Sequence, residues 1–471
     1  MSISRSIRVK LSDGSINLII AAVPLLFWCT SLFPAVLTPD SYQVLSLIRD
    51  GRLSDVHTLS YELLVQFLGL KGQALYLVTI FQSVLSYYAL FLVNRFLLGD
   101  SCSSRKVFLT TSIIYSTPFF GPIGMTLWKD SLSTSLVIIS LIKILPFFSR
   151  PNKLNISYLA PWSLLFVVAL TFRHEAPFGF LILCGLLFSC SFLKYFSSNS
   201  KMLKQFSVYI FLISTLSMGF SSINSRLVHS EPTDRYMTSI SFLLDLEYVN
   251  SRYPEMLAPR SREILTLISS GPSLKGAASC DNPYNFWSEG LDVHQANIHA
   301  LEIPGLWLQA TQGNPRDSLL KARFCRIASF IPWPFSNAPH YGYWPTTGIS
   351  PNDLGYENPV PLFPLYTLAF IWSYLWSVNG NLLGWPGLHF SVIIFSAYFL
   401  KNRLSVFREQ RIFLEVFLLY FISLIMILSL VSPSSEFRYL NSVYYFSLPI
   451  FAMLISQFRS PKSDFTEVSQ D

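Results

Sequence analysis

Ten stretches of this chain are apolar over the length a helix needs to cross a bilayer, and that repetition constrains the fold more than any motif does. They lie near 16–37, 74–94, 107–127, 131–148, 156–172, 176–193, 206–222, 361–400, 411–431 and 440–457. Crossing the hydrocarbon core takes about 20 residues of helix, and in lipid only helices and closed barrels satisfy every backbone polar group internally. The runs are therefore expected to be spans of an all-α polytopic membrane protein with about 10–11 transmembrane helices. Composition agrees, with 51% hydrophobic and 13% charged residues where soluble domains are about a quarter charged. The net charge of +7 comes from Lys and Arg scattered among apolar runs, without the basic stripe that a nucleic-acid partner requires.

Loop charges set the expected orientation, because Lys and Arg concentrate on the cytoplasmic side. Arg95, Arg105 and Lys106, then Arg150 and Lys153, then Lys194, Lys201 and Lys204 mark three cytoplasmic connections. The alternate connections carry an acid beside a base: Lys129 with Asp130, Arg173 with Glu175, and Glu436 with Arg438. These are expected to face outward, with the N-terminus inside. The first run follows Arg5, Arg8 and Lys10 and reads as a retained anchor, since no small-residue cleavage site follows it. Residues 401–411 are basic and should be cytoplasmic, so 361–400 is expected to hold one full span, with its other half interfacial or re-entrant.

The chain then divides into an N-terminal transmembrane module, 1–222, with its first outer loop at 38–73; an extracytoplasmic domain, 223–360; a C-terminal transmembrane module, 361–458; and a cytoplasmic tail, 459–471. In the outer domain, Leu320, Phe324, Ile327 and Ile331 recur at helical spacing after Asn314-Pro315, which predicts an amphipathic helix with those residues inward. Trp333 and Trp344, among several prolines, are expected to lie against the membrane surface. Cys280 and Cys325 share this polar loop and are candidates for a disulfide if it lies outside the cytoplasm. Cys29, Cys102, Cys184 and Cys190 sit in or beside apolar segments without metal-ligand spacing.

The expected span interiors are almost uncharged: Lys143 and Glu415 lie near span ends, where they can snorkel. That disfavours a proton-coupled transporter or flippase and moves attention to the outer helix ends. The first outer loop opens Leu37-Thr38-Pro39-Asp40-Ser41-Tyr42-Gln43 and continues to His57. Pro39 is expected to end the first span. Asp40 then either caps the amphipathic helix that follows or meets a substrate just above the lipid. Trp128-Lys129-Asp130-Ser131 and Arg173-His174-Glu175 are either interfacial charges that end helices or parts of a site, with His174 titratable near neutral pH. Glu436-Phe437-Arg438-Tyr439 adds a guanidinium fork suited to two phosphate oxygens.

An acid directly after the first span, a short interfacial helix, a turn with His57, a large outer loop in the second half and a late Arg438-Tyr439 pair together resemble the GT-C superfamily of membrane glycosyltransferases, in its bacterial branch. The resemblance covers most of the chain in layout. The sequence departs from the family pattern in having Ser41 where a second acid is common, and His57-Thr58 where bacterial relatives often have His-Pro. The resemblance implies an enzyme of the cytoplasmic (inner) membrane whose site faces outward. It would transfer a hexose or pentose, with inversion, from a polyprenyl-phosphate carrier to a glycan, lipid or protein acceptor. Asp40 would act as general base, or would hold a divalent metal (Mg or Mn) with Asp130. Lys129, Asp130, Arg173, His174, Glu175, Arg438, Tyr439 and His57 would surround the donor phosphate, with Lys129 and Arg438, joined by Arg173, stabilising charge on the leaving phosphate. A polysaccharide polymerase or ligase, using His294, His299, Arg316, Arg323 and Arg326 in the outer domain, is the rival reading.

Overall fold

The computed structural model of the chain describes residues 13–54, 57–69, 73–98, 102–149, 156–193, 200–228, 234–269, 291–327, 354, 364–378, 386–403, 408–431 and 441–459. Among these, regular structure is helical, with two isolated β-bridges and no strand. The helices are α1 (Asp13–Ser31), α2 (Pro39–Arg49), α3 (Leu59–Leu68), α4 (Leu75–Leu98), α5 (Ser104–Tyr115), α6 (Gly121–Met125), α7 (Lys129–Ser149), α8 (Ile156–Thr171), α9 (Ala176–Cys190) and α10 (Ser200–Leu227). A loop domain follows with α11 (Ile240–Arg252), α12 (Pro259–Ile268), α13 (Val293–His299), α14 (Ile303–Thr311) and α15 (Arg316–Arg326). The chain ends with α16 (Leu365–Val378), α17 (Pro386–Arg403), α18 (Arg408–Val431) and α19 (Asn441–Arg459).

Among the described residues, five helices are long and apolar enough to cross a membrane: α1, α4, α7 over Lys129–Phe148, α10, and α18 over Ile412–Val431. The expected spans at 156–172 and 176–193 are helices of 16 and 15 residues. Within the 361–400 run the described residues form two helices, of 14 and 18 residues. The run at 107–127 is not a single helix: α5 stops at Tyr115 and only the short α6 follows. Pro118 and Pro122 explain the break, because each removes a backbone donor and its ring excludes the preceding helical turn. The outward faces are themselves apolar. On α10, Met202, Leu203, Phe206, Ile210 and Ile213 are buried while Val208, Phe211, Leu212, Leu216 and Ile223 are exposed, so the helix is apolar on its outward face as well as on its packed one.

The main core joins α1, α4, α5, α7 to α10 and α16 to α19. Trp28, fully buried, anchors α1 by donating Nε1–H to the Tyr115 carbonyl at 3.3 Å. Gly121 lets α6 lie directly on that indole, because a Cβ there would fall 2.1 Å from Trp28 Cδ1.

The loop domain has its own core, from Tyr236 to Ala322. The helix expected after Pro315 is present as α15, but its inward face is Leu319, Ala322, Arg323 and Arg326, while Phe324 is exposed. The two arginines turn inward because Asp245 of α11 is buried opposite them. Arg326 donates to its Oδ1 from Nε at 2.9 Å and Nη2 at 2.6 Å, Arg323 Nη2 lies 2.5 Å from its Oδ2, and Trp307 Nε1 donates to Oδ2 at 2.9 Å. Arg323 also donates from Nη1 to the carbonyls of Ser429 and Leu430, at 3.2 and 3.1 Å. It thereby satisfies the C-terminal carbonyls of α18, where a cation is favoured by the helix dipole, and docks the loop domain on the bundle. Cys325 is disulfide-bonded and the four other described cysteines are free; Cys280, Trp333, Trp344 and Ile331 lie outside the described residues.

Candidate functional site

The first loop begins earlier than expected, since α1 ends at Ser31 and residues 32–37 run outside any helix. Val36 forms a parallel bridge with Thr126: its N–H donates to the Met125 carbonyl at 2.9 Å, and Leu127 N–H donates back to the Val36 carbonyl at 3.1 Å. The N-cap of α2 is Thr38 rather than Asp40. Thr38 and Ser41 form a reciprocal capping box, with Pro39 at the first helical position. Ser41 Oγ also donates to the Leu127 carbonyl at 3.0 Å, and Trp128 Nε1 donates to Thr38 Oγ1 at 2.9 Å. Both residues that cap α2 are therefore tied to the segment leading into Lys129, and Asp40, half-buried in the first turn, is carried alongside it.

The second half of the loop meets a different helix end. Thr58 has φ 70, a left-handed conformation that costs a β-branched residue energy, and its Oγ1 donates to the Phe172 carbonyl at 3.1 Å. His57, buried, shares a 2.8 Å hydrogen bond between Nε2 and Gln43 Oε1, which makes Nε2 the protonated nitrogen. Tyr61 lies edge-on to Phe172 with ring centroids 6.4 Å apart. Its hydroxyl donates to Gln82 Oε1 at 3.3 Å.

Two of the three acid–base pairs of the sequence form one cluster, and the third, Glu436 with Arg438, lies outside the described residues. Arg173 Nε lies 3.1 Å from Asp130 Oδ1 and donates to Glu175 Oε1 at 2.8 Å; a second nitrogen, Nη2, also pairs with Glu175. Asp130 and Arg173 are nearly sealed from solvent, and Glu175 is 20% exposed. Burial pulls the Arg173 guanidinium down, but Glu175 and then Asp130 outweigh it and hold the group firmly charged. Burial likewise pushes the Glu175 carboxyl up, and Arg173 followed by Lys129 overcome it to hold the carboxyl at about 2. Lys129 is half-buried and, among the described residues, makes no ion pair or hydrogen bond of its own, although Glu175 feels its charge. The Tyr61 phenol is pushed well up by burial, then by Asp130, then by Asp40.

Asp130, Arg173 and Glu175 thus form one ion-pair cluster at the helix ends with Lys129 beside it, the first turn of α2 that carries Asp40 is tied to the same segment through Ser41 and Trp128, and His174 is exposed. Arg438 and Tyr439 lie outside the described residues. A divalent metal is expected on Asp40 and Asp130. Asp130 Oδ1 is engaged by Arg173, and among the described residues no three His, Cys, Asp or Glu side chains gather as ligands. Neither does Arg173 present an open fork, because two carboxylates occupy it. Of the rival loop-domain residues, Arg323 and Arg326 face inward onto Asp245 rather than a cleft, and His299 pairs with Glu302 at 3.3 Å. Tyr61 and Gln82 were not visible as site residues in the sequence, since each lies in an apolar run and gains its role from partners 21 to 49 positions away.

No protein-family model, curated protein or solved structure matches this chain.

Proposed function

We propose that the chain is an integral membrane glycosyltransferase that moves a sugar from a polyprenyl-phosphate carrier to an acceptor hydroxyl at the outward membrane face. The observation that supports this most is that three separate segments, carrying Asp40, Lys129-Asp130 and Arg173-Glu175, are tied together at the ends of apolar helices by the Ser41–Leu127, Thr38–Trp128 and Asp130–Arg173 contacts. A carrier lipid would reach such a place sideways through the bilayer while its phosphate stayed at the helix ends.

In this reading Asp40 takes the proton of the acceptor hydroxyl, the hydroxyl oxygen forms its bond to the anomeric carbon, and the bond from that carbon to the phosphate oxygen breaks with its electron pair on phosphate. Attack opposite the leaving group inverts the centre. Lys129 is the cation that meets the phosphate, because its ammonium carries no ion pair among the described residues. Arg173, bound by two carboxylates, holds Asp130 and Glu175 in place instead of meeting the donor.

Binding of undecaprenyl phosphate to the purified protein in lipid nanodiscs tests this reading without knowledge of the sugar. Lys129→Gln is expected to weaken it about tenfold, the roughly 1.4 kcal/mol of one charge-assisted hydrogen bond. Absence of binding, or equal binding by the variant, would overturn the assignment.

A further inference from the structure

Gln82 lies inside α4, fully buried in a helix apolar enough to cross a membrane. A carboxamide there is costly unless it is hydrogen-bonded, and a leucine would fill similar space. This one is fully engaged, and its partners belong to separate segments. Nε2 donates to the Thr126 carbonyl at 2.9 Å, to Ser131 Oγ at 3.2 Å and, at 3.4 Å, to the Gly124 carbonyl. Oε1 accepts the Tyr61 hydroxyl. Thr126 and Ser131 bracket Lys129 and Asp130, while Tyr61 stands on the loop that carries Asp40 and packs against Phe172, the residue before Arg173.

We infer that Gln82 is a positioning residue which, through Tyr61, fixes the Asp40 loop against Lys129 and Asp130. The inference rests on the glycosyl-transfer reading. The base and the phosphate contact must stand on opposite sides of one anomeric carbon, and a misplacement of about 1 Å can cost on the order of a hundredfold in rate. Gln82 touches neither reactant, so its effect falls on alignment. Tyr61 suits its part: burial and the two neighbouring carboxylates keep its phenol protonated and able to donate through neutral pH.

The test compares wild type, Gln82→Leu, Tyr61→Phe and the double variant in nanodiscs, reading undecaprenyl phosphate released from a panel of undecaprenyl-phosphate hexoses and pentoses. Tyr61→Phe keeps the ring and removes one hydrogen bond, so it reports even where Gln82→Leu fails to fold. In Gln82→Leu, kcat is expected to fall about tenfold and in Tyr61→Phe severalfold, with KM and undecaprenyl phosphate affinity within about twofold of wild type. The double variant is expected to lose no more than Gln82→Leu alone, because both substitutions remove one linkage. Wild-type kcat in Tyr61→Phe, losses that multiply in the double variant, or a KM that rises in step would overturn the inference. If Asp40→Asn is inactive while these variants turn over normally, this inference alone fails; if Asp40→Asn also turns over, the glycosyl-transfer reading fails.

Discussion

Arg173 Nε and Asp130 Oδ1 lie 3.1 Å apart, joining the residues that follow α8 to the first turn of α7 with side chains only 5% and 6% exposed. A buried pair of this kind is weak evidence for stability as a whole, but removing one partner leaves an uncompensated buried charge and costs about 3–5 kcal/mol. Asp130→Leu or Arg173→Leu alone is expected to lower the thermal unfolding midpoint in detergent markedly, and the two together by less than the sum. Additive losses would show that the pair is not coupled.

Glu175 sets an acid limit. Its carboxyl is held at about 2 against an ordinary 4.5, so the stability it contributes is complete above about 4.5 and is lost as pH falls through about 2. Between pH 5 and 8 it adds no slope. Unfolding midpoints measured down to pH 2 are expected to fall less steeply in Glu175→Gln than in wild type.

The loop domain carries the opposite sign. Glu247 is buried with no cation paired to it among the described residues, with Ser269 Oγ and Asn250 Nδ2 as donors, and burial pushes its carboxyl up to about 7 against those two bonds. Its favourable state is the protonated one. Stability from this group is full below about 4.5 and is lost as pH rises through 7. Glu247→Gln is expected to slow proteolysis of the loop domain at pH 8 and leave it unchanged at pH 4.5.

Gly121 tests the close approach of α6 to α1. Ala at that position would place a methyl group 2.1 Å from Trp28 Cδ1 and displace the indole from Tyr115. An overpacking loss of about 1–3 kcal/mol is expected, read as a lower unfolding midpoint with altered Trp fluorescence.

These relationships were unequally legible in the sequence. Asp40, Lys129, Asp130, Arg173 and Glu175 stood out because charges are rare in so apolar a chain, and Asp130, Arg173 and Glu175 are joined in one ion-pair cluster. Gln82 and Tyr61 did not, since a polar side chain in an apolar run acquires its meaning from partners far along the chain. Hydropathy passed over Pro118 and Pro122, which interrupt α5 without lowering the apolar average enough to split the run. Helical spacing of apolar residues located α15 and the buried Ile327 after it, but not the inward Arg323 and Arg326, which Asp245 draws into the core. A buried acid paired with distant arginines leaves no periodic signature.

We propose that Asp40 activates an acceptor toward a polyprenyl-phosphate sugar. It is tested most directly by release of undecaprenyl phosphate from a panel of undecaprenyl-phosphate sugars, comparing wild type with Asp40→Asn at equal folded protein. Release by the wild type, with loss of at least about a hundredfold in the variant, is the predicted result. Equal release by Asp40→Asn, or none by the wild type with any sugar and acceptor offered, would contradict it.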